Sequence, residues 1–324
     1  RLEARGRVFR TVSDSEVLLN AFLEWGEDCL AQLSGMFAFA VYLPAERRLF
    51  LARDRVGIKP LFMAQAGGRL MFASTIPALR CLPGLSPVMD LAAVSHYLST
   101  IRTTFGNRTL FRDIRTLLPG ECLTAHVGGR EPVIRRYWDF PILKPAEKPD
   151  PGLDQAAARV RDLLTGSVRE QLISDVPLGG FLSGGLDSSI LAGLAHTLAP
   201  GRYDAYATGY DIEGFHEWPY VRLATAFHRM ACQEVHLGFE GFTDTWRYLV
   251  AHHGLPLSTW NQVPIYHLAS ALRRDFTVAL SGEGADEIFG GYVKSYFSAH
   301  DFDRARREPP APGEPLTALD RALM

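Results

Sequence analysis

Residues 181–189 read FLSGGLDSS and follow a short apolar run that begins at Val176. This pattern predicts a buried strand over 176–182, a glycine turn, and a helix over 188–198. Two adjacent glycines let the backbone approach a ligand, and a helix start offers free N–H groups at the positive end of its dipole. Three serines and Asp187 surround the turn. The stretch therefore predicts a cradle for a phosphate chain with Asp187 as a metal ligand.

Strand-like and helical runs alternate on both sides of this turn, which predicts a parallel α/β sheet. The predicted helices cover 153–172, 188–198, 219–230 and 264–272, and the predicted strands cover 176–182, 203–209, 233–237 and 277–280. Neither the G-x-x-x-x-G-K-[ST] spacing nor the G-x-G-x-x-G spacing occurs in the chain. Two large classes of nucleotide-binding loop are therefore excluded.

A second informative stretch, LSGEGADEIFGGY at 280–292, also begins where an apolar strand is predicted to end. It places three carboxylates among four glycines within a few residues. The carboxyl edge of a parallel sheet is where α/β proteins bind their ligands. These carboxylates are therefore predicted to belong to a site rather than to a solvated surface loop.

The part of the chain before residue 141 has a different pattern. A helix is predicted from Ser13 or Asp14 to Trp25, with Gly26 as its stop. Apolar runs predict a hairpin of strands over 36–43 and 49–53, and a second strand pair over 61–64 and 69–73. The proline-rich run at 141–151 is predicted to be the boundary between two domains.

Composition restricts the classes of function. The chain has 324 residues, 47% of them hydrophobic, and 34 Lys and Arg against 36 Asp and Glu, so that its formal net charge is −2. No basic field is available for a nucleic-acid backbone, and the longest apolar run, 35–43, is too short to cross a membrane. The four cysteines are scattered, which predicts reduced thiols in a cytoplasmic protein. Cys29, Cys81 and Cys122 are predicted to be buried as small hydrophobic residues.

The first stretch resembles the PP-loop of the ATP pyrophosphatases, and the second resembles the S-G-E-G-[AS]-D-E-x-F-G-G-Y signature of the glutamine-dependent asparagine synthetases. The amino-terminal part resembles the class II glutaminase domain of the same family. That resemblance rests on Ser13-Asp14-x-Glu16-Val17, the GMFAF run at 35–39, the LARDRVGIKPL run at 51–61, and the F-R-x-I-x-x-L-x-P-G pattern at 111–120.

The resemblance implies an α/β chain with two domains. Residues 1–140 would form part of an N-terminal-nucleophile hydrolase, an αββα sandwich, and 141–151 would be a linker. Residues 152–300 would form a parallel-sheet PP-loop domain of the adenine nucleotide α-hydrolase type. Residues 301–324 would be a polar tail or the start of a further region. The nucleophilic cysteine and the carboxyl-terminal substrate residues are expected outside this chain, which would make it truncated at both ends.

The implied activity is that of an asparagine synthetase, which adenylates the β-carboxylate of L-aspartate with ATP and amidates it with ammonia from L-glutamine. ATP and Mg²⁺ are the implied cofactors, another carboxylate could replace aspartate, and homodimers are common in the family. No nucleic acid and no membrane are expected as partners. Two alternatives stay open: a related amide-forming enzyme of the β-lactam synthetase or lasso-peptide cyclase type, and a non-catalytic paralogue.

The resemblance also implies residue roles. Glu283 would act in adenylate formation or ammonia attack, Asp14 would hold the α-amino group of glutamine, and Asp187 and Asp286 would bind Mg²⁺. Glu217 matches an acidic family position only weakly and is interpreted as a helix-start residue. The residues implied in ATP and pyrophosphate binding are Phe181, Ser183, Gly184, Gly185, Asp187, Ser188, Ser189, Thr208, Ser281 and Gly282.

Overall fold

The computed structural model describes residues 1–85, 88–129, 131–142, 151–210, 212 and 217–292. The chain divides into two compact units, one made of Arg1–Lys148 with Gly241–Trp260 and one made of Pro149–Glu240 with Asn261–Met324. Most of the predicted linker 141–151 and all of the tail 301–324 lie outside the described residues. Among the described helices, none combines the length and the apolar character needed to span a bilayer.

The elements of the described residues are given in chain order. They are α1 (Asp14–Trp25), α2 (Cys29–Gln32), β1 (Ala38–Leu43), β2 (Arg48–Arg53), β3 (Phe62–Ala66), β4 (Arg69–Ala73), α3 (Ile76–Arg80), α4 (Leu91–Thr100), β5 (Ile114–Thr116), β6 (Glu121–His126), β7 (Val133–Arg136), α5 (Leu153–Gln171), β8 (Leu178–Phe181), α6 (Leu186–Leu198), β9 (Ala205–Tyr210), α7 (Trp218–His228), β10 (Cys232–Leu237), α8 (Phe242–His253), α9 (Gln262–Leu272), β11 (Val278–Leu280) and α10 (Ala285–Phe289).

The first unit contains two antiparallel sheets, with strand orders β1-β2-β6-β7 and β4-β3-β5. Phe50, Leu51 and Ala52 in β2 are fully buried, as expected for a strand that lies between two others. The predicted strand pairs are both present. Gly67 and Gly68, which join β3 to β4, both have positive φ angles of 56° and 71°, as a tight hairpin turn requires.

A buried carboxylate orders the connection that follows β2. Asp54 is fully buried, and its side chain accepts hydrogen bonds from the backbone N–H groups of Phe37, Ile58 and Lys59 at 3.3, 3.0 and 2.9 Å. The neighbouring Arg53 donates to the carbonyl oxygen of Leu117, directly after β5, at 2.7 Å. This pair therefore holds the end of β2 against the start of β1 and the end of β5.

The second unit is built on a wholly parallel sheet of order β10-β9-β8-β11. Its core includes Leu182, Ala192, Ala205 and Val221, which are 2% exposed or less. Helix α9 packs on β9 through Leu268 and other apolar residues. The predicted α/β class, antiparallel in the first part and parallel in the second, is confirmed.

Candidate functional site

The two sequence motifs leave neighbouring strands of the parallel sheet. In the register between β11 and β8, Leu280 pairs with Gly180, so that both strands end at nearly the same height. Strand β9 lies on the other side of β8, with Phe181 paired to Tyr206. Because the strands are parallel, the loops 182–185 and 281–284 emerge at one edge, where α/β sheets bind ligands.

The loop after β8 is ordered by its own serines. The Ser188 hydroxyl accepts a hydrogen bond from the Ser183 N–H at 3.1 Å and lies 2.9 Å from the Ser183 hydroxyl. Gly184 has a φ angle of +83°, and a Cβ placed there would lie 2.7 Å from the backbone nitrogen of Val221. Both its conformation and its surroundings therefore require glycine at this position.

Helix α6 begins at this loop without a side-chain cap. Its N-cap is Gly185, and no side chain accepts a hydrogen bond from the first turn. In the first unit, by contrast, α1 is capped by Ser13 and α4 by Asp90. The first N–H groups of α6 therefore face outward together with the positive end of the helix dipole, which suits a phosphate chain.

The second motif approaches the first turn of α6. A Cβ placed on Gly282 would lie 3.2 Å from the Ser188 nitrogen and 3.4 Å from the Asp187 Cβ. The amide of Ala285 donates to the carbonyl oxygen of Gly282 at 3.2 Å, which joins this contact to the start of α10. The two motifs, about a hundred residues apart in the sequence, therefore meet in one place.

The acidic part of the second motif is arranged around α10. Glu283 is exposed, and Asp286 is half-buried in the first turn of the helix with its carboxylate directed towards Gly291. The Tyr292 hydroxyl donates to Glu287 at 2.7 Å. That hydrogen bond, together with a small desolvation and the charges of neighbouring carboxylates, raises the pKa of Tyr292 to about 12. The tyrosine hydroxyl therefore stays protonated as a donor at neutral pH.

The two nucleotide-pocket candidates on β8 and β9 have different environments. Phe181 is half-buried and packs against the cluster that contains Tyr206 and Leu268. The Thr208 hydroxyl donates to the backbone carbonyl of Val235 at 3.0 Å. Because the proton of that hydroxyl is donated to the neighbouring strand, Thr208 can meet a nucleotide as a hydrogen-bond acceptor or through its methyl group or backbone.

The acidic residues at this edge suit magnesium only together with a phosphate ligand. No group of three or more His, Cys, Asp or Glu side chains that could hold a metal is found in the part of the chain that the structure describes. Mg²⁺ is commonly held by one or two carboxylates, phosphate oxygens and water. Asp187, in the first turn of α6, and Asp286 could supply such carboxylates beside a bound phosphate chain.

Sequence reasoning did not find the contribution of α7 to this site. Its first turn packs against the loop, since Tyr220 Cβ and the Val221 backbone nitrogen are the atoms nearest to Gly184. The available signal was Trp218-Pro219, because proline is favoured in the first turn of a helix. Glu217 lies at the N-cap position of α7 and accepts hydrogen bonds through its backbone carbonyl, as expected for a helix-start residue.

The glutamine-binding candidate lies in the first unit. Asp14 is exposed in the first turn of α1, where the helix dipole favours a carboxylate. Glu16, which sequence reasoning left without a role, accepts hydrogen bonds from the N–H groups of Arg10 and Thr11 and from the Thr11 hydroxyl at 2.9, 2.7 and 2.6 Å. The Thr11 hydroxyl is the main cause of the lowered pKa of Glu16. Glu16 therefore fixes the segment that leads into Asp14.

The structure corrects one prediction about the cysteines. Cys29 and Cys122 are buried, as predicted, and burial raises the pKa of Cys29 to about 11. Cys81, in contrast, is exposed at the C-cap position of α3. The prediction that Cys81 is a buried hydrophobic residue is wrong.

Two cavities of the described residues are lined by no residue of the motif loops. One, of about 440 Å³, lies beside α1 between residues such as Phe9, Val17 and Trp25. The other, of about 420 Å³, is at the amino edge of the parallel sheet and is lined by Asp175, Arg202 and other residues. The candidate site does not need an enclosed cavity, because a cradle of backbone N–H groups can bind a phosphate chain at an open surface.

Known proteins resemble the chain along most of its length. Asparagine synthetase 3 (glutamine-hydrolysing) of Bacillus subtilis is 33% identical over 90% of this chain and 49% of its own. A putative asparagine synthetase (glutamine-hydrolysing) of Mycobacterium tuberculosis is 35% identical over 89% of this chain and 44% of its own. The chain thus spans about half the length of the curated relatives it matches. A solved glutamine phosphoribosylpyrophosphate amidotransferase of B. subtilis covers 63% of this chain and 41% of its own, with 20% identity and a TM-score of 0.31.

Two family models match successive parts of the chain. The model described as a glutamine amidotransferase domain matches residues 1–138, and the model described as asparagine synthase matches residues 159–323. Both motif loops of the parallel-sheet edge lie within the second match, which covers more than half of the chain. The chain therefore belongs to the asparagine synthase family.

Proposed function

We propose that the protein containing this chain is a glutamine-hydrolysing asparagine synthetase, an ATP-dependent ligase that forms a carbon–nitrogen bond. The observation that supports this proposal most directly is the approach of Gly282 to Asp187 and Ser188. It joins a phosphate cradle to a carboxylate-rich loop at one edge of the sheet. An enzyme that activates a carboxylate with ATP needs both in one place.

The phosphate cradle supports the first half-reaction. An oxygen of the aspartate β-carboxylate bonds to the α-phosphorus of ATP, and the bond from that phosphorus to the bridging oxygen of the β-phosphate breaks. Pyrophosphate leaves with the electron pair. The free N–H groups at the start of α6 and the serine hydroxyls of the loop would hold the departing pyrophosphate and stabilise its negative charge.

The acidic loop supports the second half-reaction. Ammonia bonds to the acyl carbon, the bond to the phosphate oxygen breaks, and AMP leaves with the electron pair. The new nitrogen must lose a proton, and we assign its acceptance to the exposed carboxylate of Glu283. Mg²⁺, when bound to the phosphates, would supply positive charge there, with Asp187 and Asp286 as its protein ligands.

The first unit would supply the ammonia. Asp14 would hold the α-amino group of L-glutamine through a charge-assisted hydrogen bond. Three finer expectations stay predictions from the family resemblance: the identity of aspartate as the acceptor, assembly as a homodimer, and a cytoplasmic location. Light scattering of the purified protein tests the dimer directly.

The proposal is tested by ATP–pyrophosphate exchange in the full-length protein, with each candidate carboxylic acid tried in turn. Exchange stimulated by aspartate, together with asparagine formed from glutamine, supports the proposal. Exchange with a different acid would support adenylation of a carboxylate and refute aspartate as the substrate. No exchange with any acid would overturn the proposal and favour a non-catalytic paralogue.

A matched pair of variants assigns the exchange to this edge of the sheet. We expect Asp187→Asn to lower exchange by about 100-fold, because a missing charge in a preorganised site has an effect of that order. Asp175→Asn changes an exposed carboxylate at the opposite edge of the same sheet and should leave exchange unchanged. Equal losses in both variants would contradict the assignment.

A further inference from the structure

The segment Gly241–Trp260 belongs to the first unit although its sequence lies between β10 and α9 of the second. It contains α8 and the irregular run that follows, and α8 contacts α3. The chain then returns to the second unit at Asn261, directly before α9. We call this segment the strap.

A glycine fixes the turn at the end of α8. Gly254 has a φ angle of +67°, and its N–H donates to the Val250 carbonyl at 2.9 Å. A Cβ placed on Gly254 would lie 2.9 Å from two ring carbons of Pro77 and 3.5 Å from Ile76. The backbone of the strap is therefore pressed against the first turn of α3.

Two leucines extend the contact between the strap and the rest of the first unit, and we call this set of contacts the anchor. Leu255 packs against the hydrophobic cluster that includes Ile76, Leu79 and Phe111. Leu257 is only 3% exposed, and its backbone carbonyl accepts a hydrogen bond from the Tyr97 hydroxyl of α4 at 2.9 Å. The strap therefore completes a hydrophobic cluster of the first unit and also satisfies a polar group of α4.

The strap is covalently continuous with the elements that lead to the acidic motif. Helix α9 starts at Gln262, a few residues after the anchor, and packs on β9 and β10. From α9 the chain passes through a short turn into β11 and then reaches Ser281. One helix, a short turn and a short strand thus separate the end of the strap from the acidic loop.

We propose that the strap is a coupling element, with Tyr97, Gly254 and Leu257 as positioning residues. When the anchor in the first unit is intact, it holds the amino end of α9 and so restrains β11 and the loop 281–284. The structural part of this inference stands by itself. Its consequence for amide synthesis rests on the proposed function.

Hydrogen exchange of the full-length protein tests the structural part. We expect Leu257→Ala to speed hydrogen exchange by at least about tenfold in peptides from α3, α4 and α9, because truncation of a buried leucine leaves a cavity where the strap meets the first unit. Tyr97→Phe should give the same pattern at about fivefold, the effect of one lost hydrogen bond. Leu268→Ala is the matched control, since Leu268 is equally buried but packs on β9. It should affect α9 and β9 and leave α3 and α4 unchanged.

Two results would overturn the proposal. One is a Leu257→Ala effect confined to the strap, and the other is a Leu268→Ala effect that reaches α3 and α4 as strongly. If Leu257→Ala does not fold, Tyr97→Phe alone tests the proposal. This variant retains the aromatic ring and removes only the hydroxyl that donates to the Leu257 carbonyl oxygen. Neither result depends on catalytic activity.

The functional part is measured as the ratio of glutamine-supported to ammonia-supported amide formation. We expect Leu257→Ala to lower this ratio by about fivefold, a typical coupling between two sites, and Leu257→Met to restore it. If this ratio stays at the wild-type value while hydrogen exchange changes as expected, the strap does not couple the two activities. The proposed function would then remain intact. An absence of amide formation in the wild-type protein would refute the proposed function. The hydrogen-exchange result would still test the structural role of the strap.

Discussion

At the scale of single residues, the contact that joins the two motifs of the candidate site is that of Gly282 with α6. We predict that Gly282→Ala weakens ATP binding by about tenfold, because a methyl group 3.2 Å from the Ser188 nitrogen must push the two loops apart by a few tenths of an ångström. Isothermal titration with ATP measures the change. Gly166→Ala is the matched control, since nothing lies within 4 Å of a Cβ there, and it should leave ATP affinity unchanged. Equal ATP affinity of wild type and Gly282→Ala would contradict this reading of the loop contact.

A second prediction concerns the carboxylate that caps α4. Asp90 accepts hydrogen bonds from Ala92 and Ala93 and forms a two-point pair with Arg108 at 2.7 and 2.6 Å. We expect Asp90→Asn to lower the free energy of unfolding by about 1–3 kcal/mol, the range for a lost cap and a charged hydrogen bond whose arginine is partly screened by water. Urea unfolding measures the loss. Asp139→Asn, which breaks a pair between exposed residues, should change stability far less.

The same pair gives the prediction a pH dependence. The hydrogen bond from Arg108 is the main cause of the lowered pKa of Asp90. A carboxyl with a lowered pKa in the folded state stabilises the fold above its ordinary pKa, near 4, and loses that contribution as the pH falls through the lowered value. The stability difference between wild type and Asp90→Asn should therefore be full at pH 7 and shrink below about pH 4. A difference that grew on acidification would contradict the assignment.

Residue-scale features were predictable where a motif is local. The glycine turn at 183–185 and the acidic loop at 281–291 each lie within one short stretch, so their residue types alone indicated a strand end and a ligand. The contact between Gly282 and α6 needed the register of β11 against β8, which no local pattern contains. The prediction that Cys81 is buried was wrong for a related reason. Neighbouring leucines in the sequence do not reveal which residues at a helix end face solvent.

At the scale of elements, the hairpin of β3 and β4 offers a test of turn chemistry. Because both Gly67 and Gly68 have positive φ, we predict that Gly67→Val lowers the melting temperature, with a cost of about 1–2 kcal/mol for a branched residue in the left-handed region. Gly67→Asn should be nearly neutral, since asparagine adopts this conformation readily and Asn-Gly favours such turns. Equal melting temperatures for the two variants would contradict the turn assignment.

Elements with strong apolar periodicity were predicted, and weakly patterned ones were missed. Helix α1 begins and ends within a residue of its prediction, because Ser13 caps it and Gly26 stops it. Strand β7 was not predicted, since all four of its residues are exposed and it pairs with β6 without burying an apolar face. Helix α8 was missed as well, and its place in the first unit depends on contacts with α3 that are remote in sequence.

At the scale of the whole molecule, the four cysteines allow the opening of each unit to be measured separately by thiol labelling. Cys29, Cys81 and Cys122 lie in the first unit and Cys232 lies in the second. Desolvation raises the pKa of Cys29 and of Cys232 to about 11, so that on the order of one thiol in a thousand is ionised at pH 8. Because Cys81 is exposed while Cys29 and Cys122 are buried and Cys232 is partly buried, we expect Cys81 to be the most reactive thiol of the native protein.

We predict that pulsed alkylation at pH 8, read by mass spectrometry, labels Cys81 first, Cys232 more slowly, and Cys29 and Cys122 only when urea opens the first unit. Cys81→Ser should remove the fast phase and leave the others unchanged. With ATP present, labelling of Cys232 should slow further, because ligand binding stabilises the unit that holds the nucleotide. Labelling of Cys29 or Cys122 in native buffer as fast as Cys81 would contradict the buried environment of these thiols. If ATP instead protected only Cys29 and Cys122, the nucleotide site would have to be placed in the first unit, contrary to the arrangement of the two motif loops.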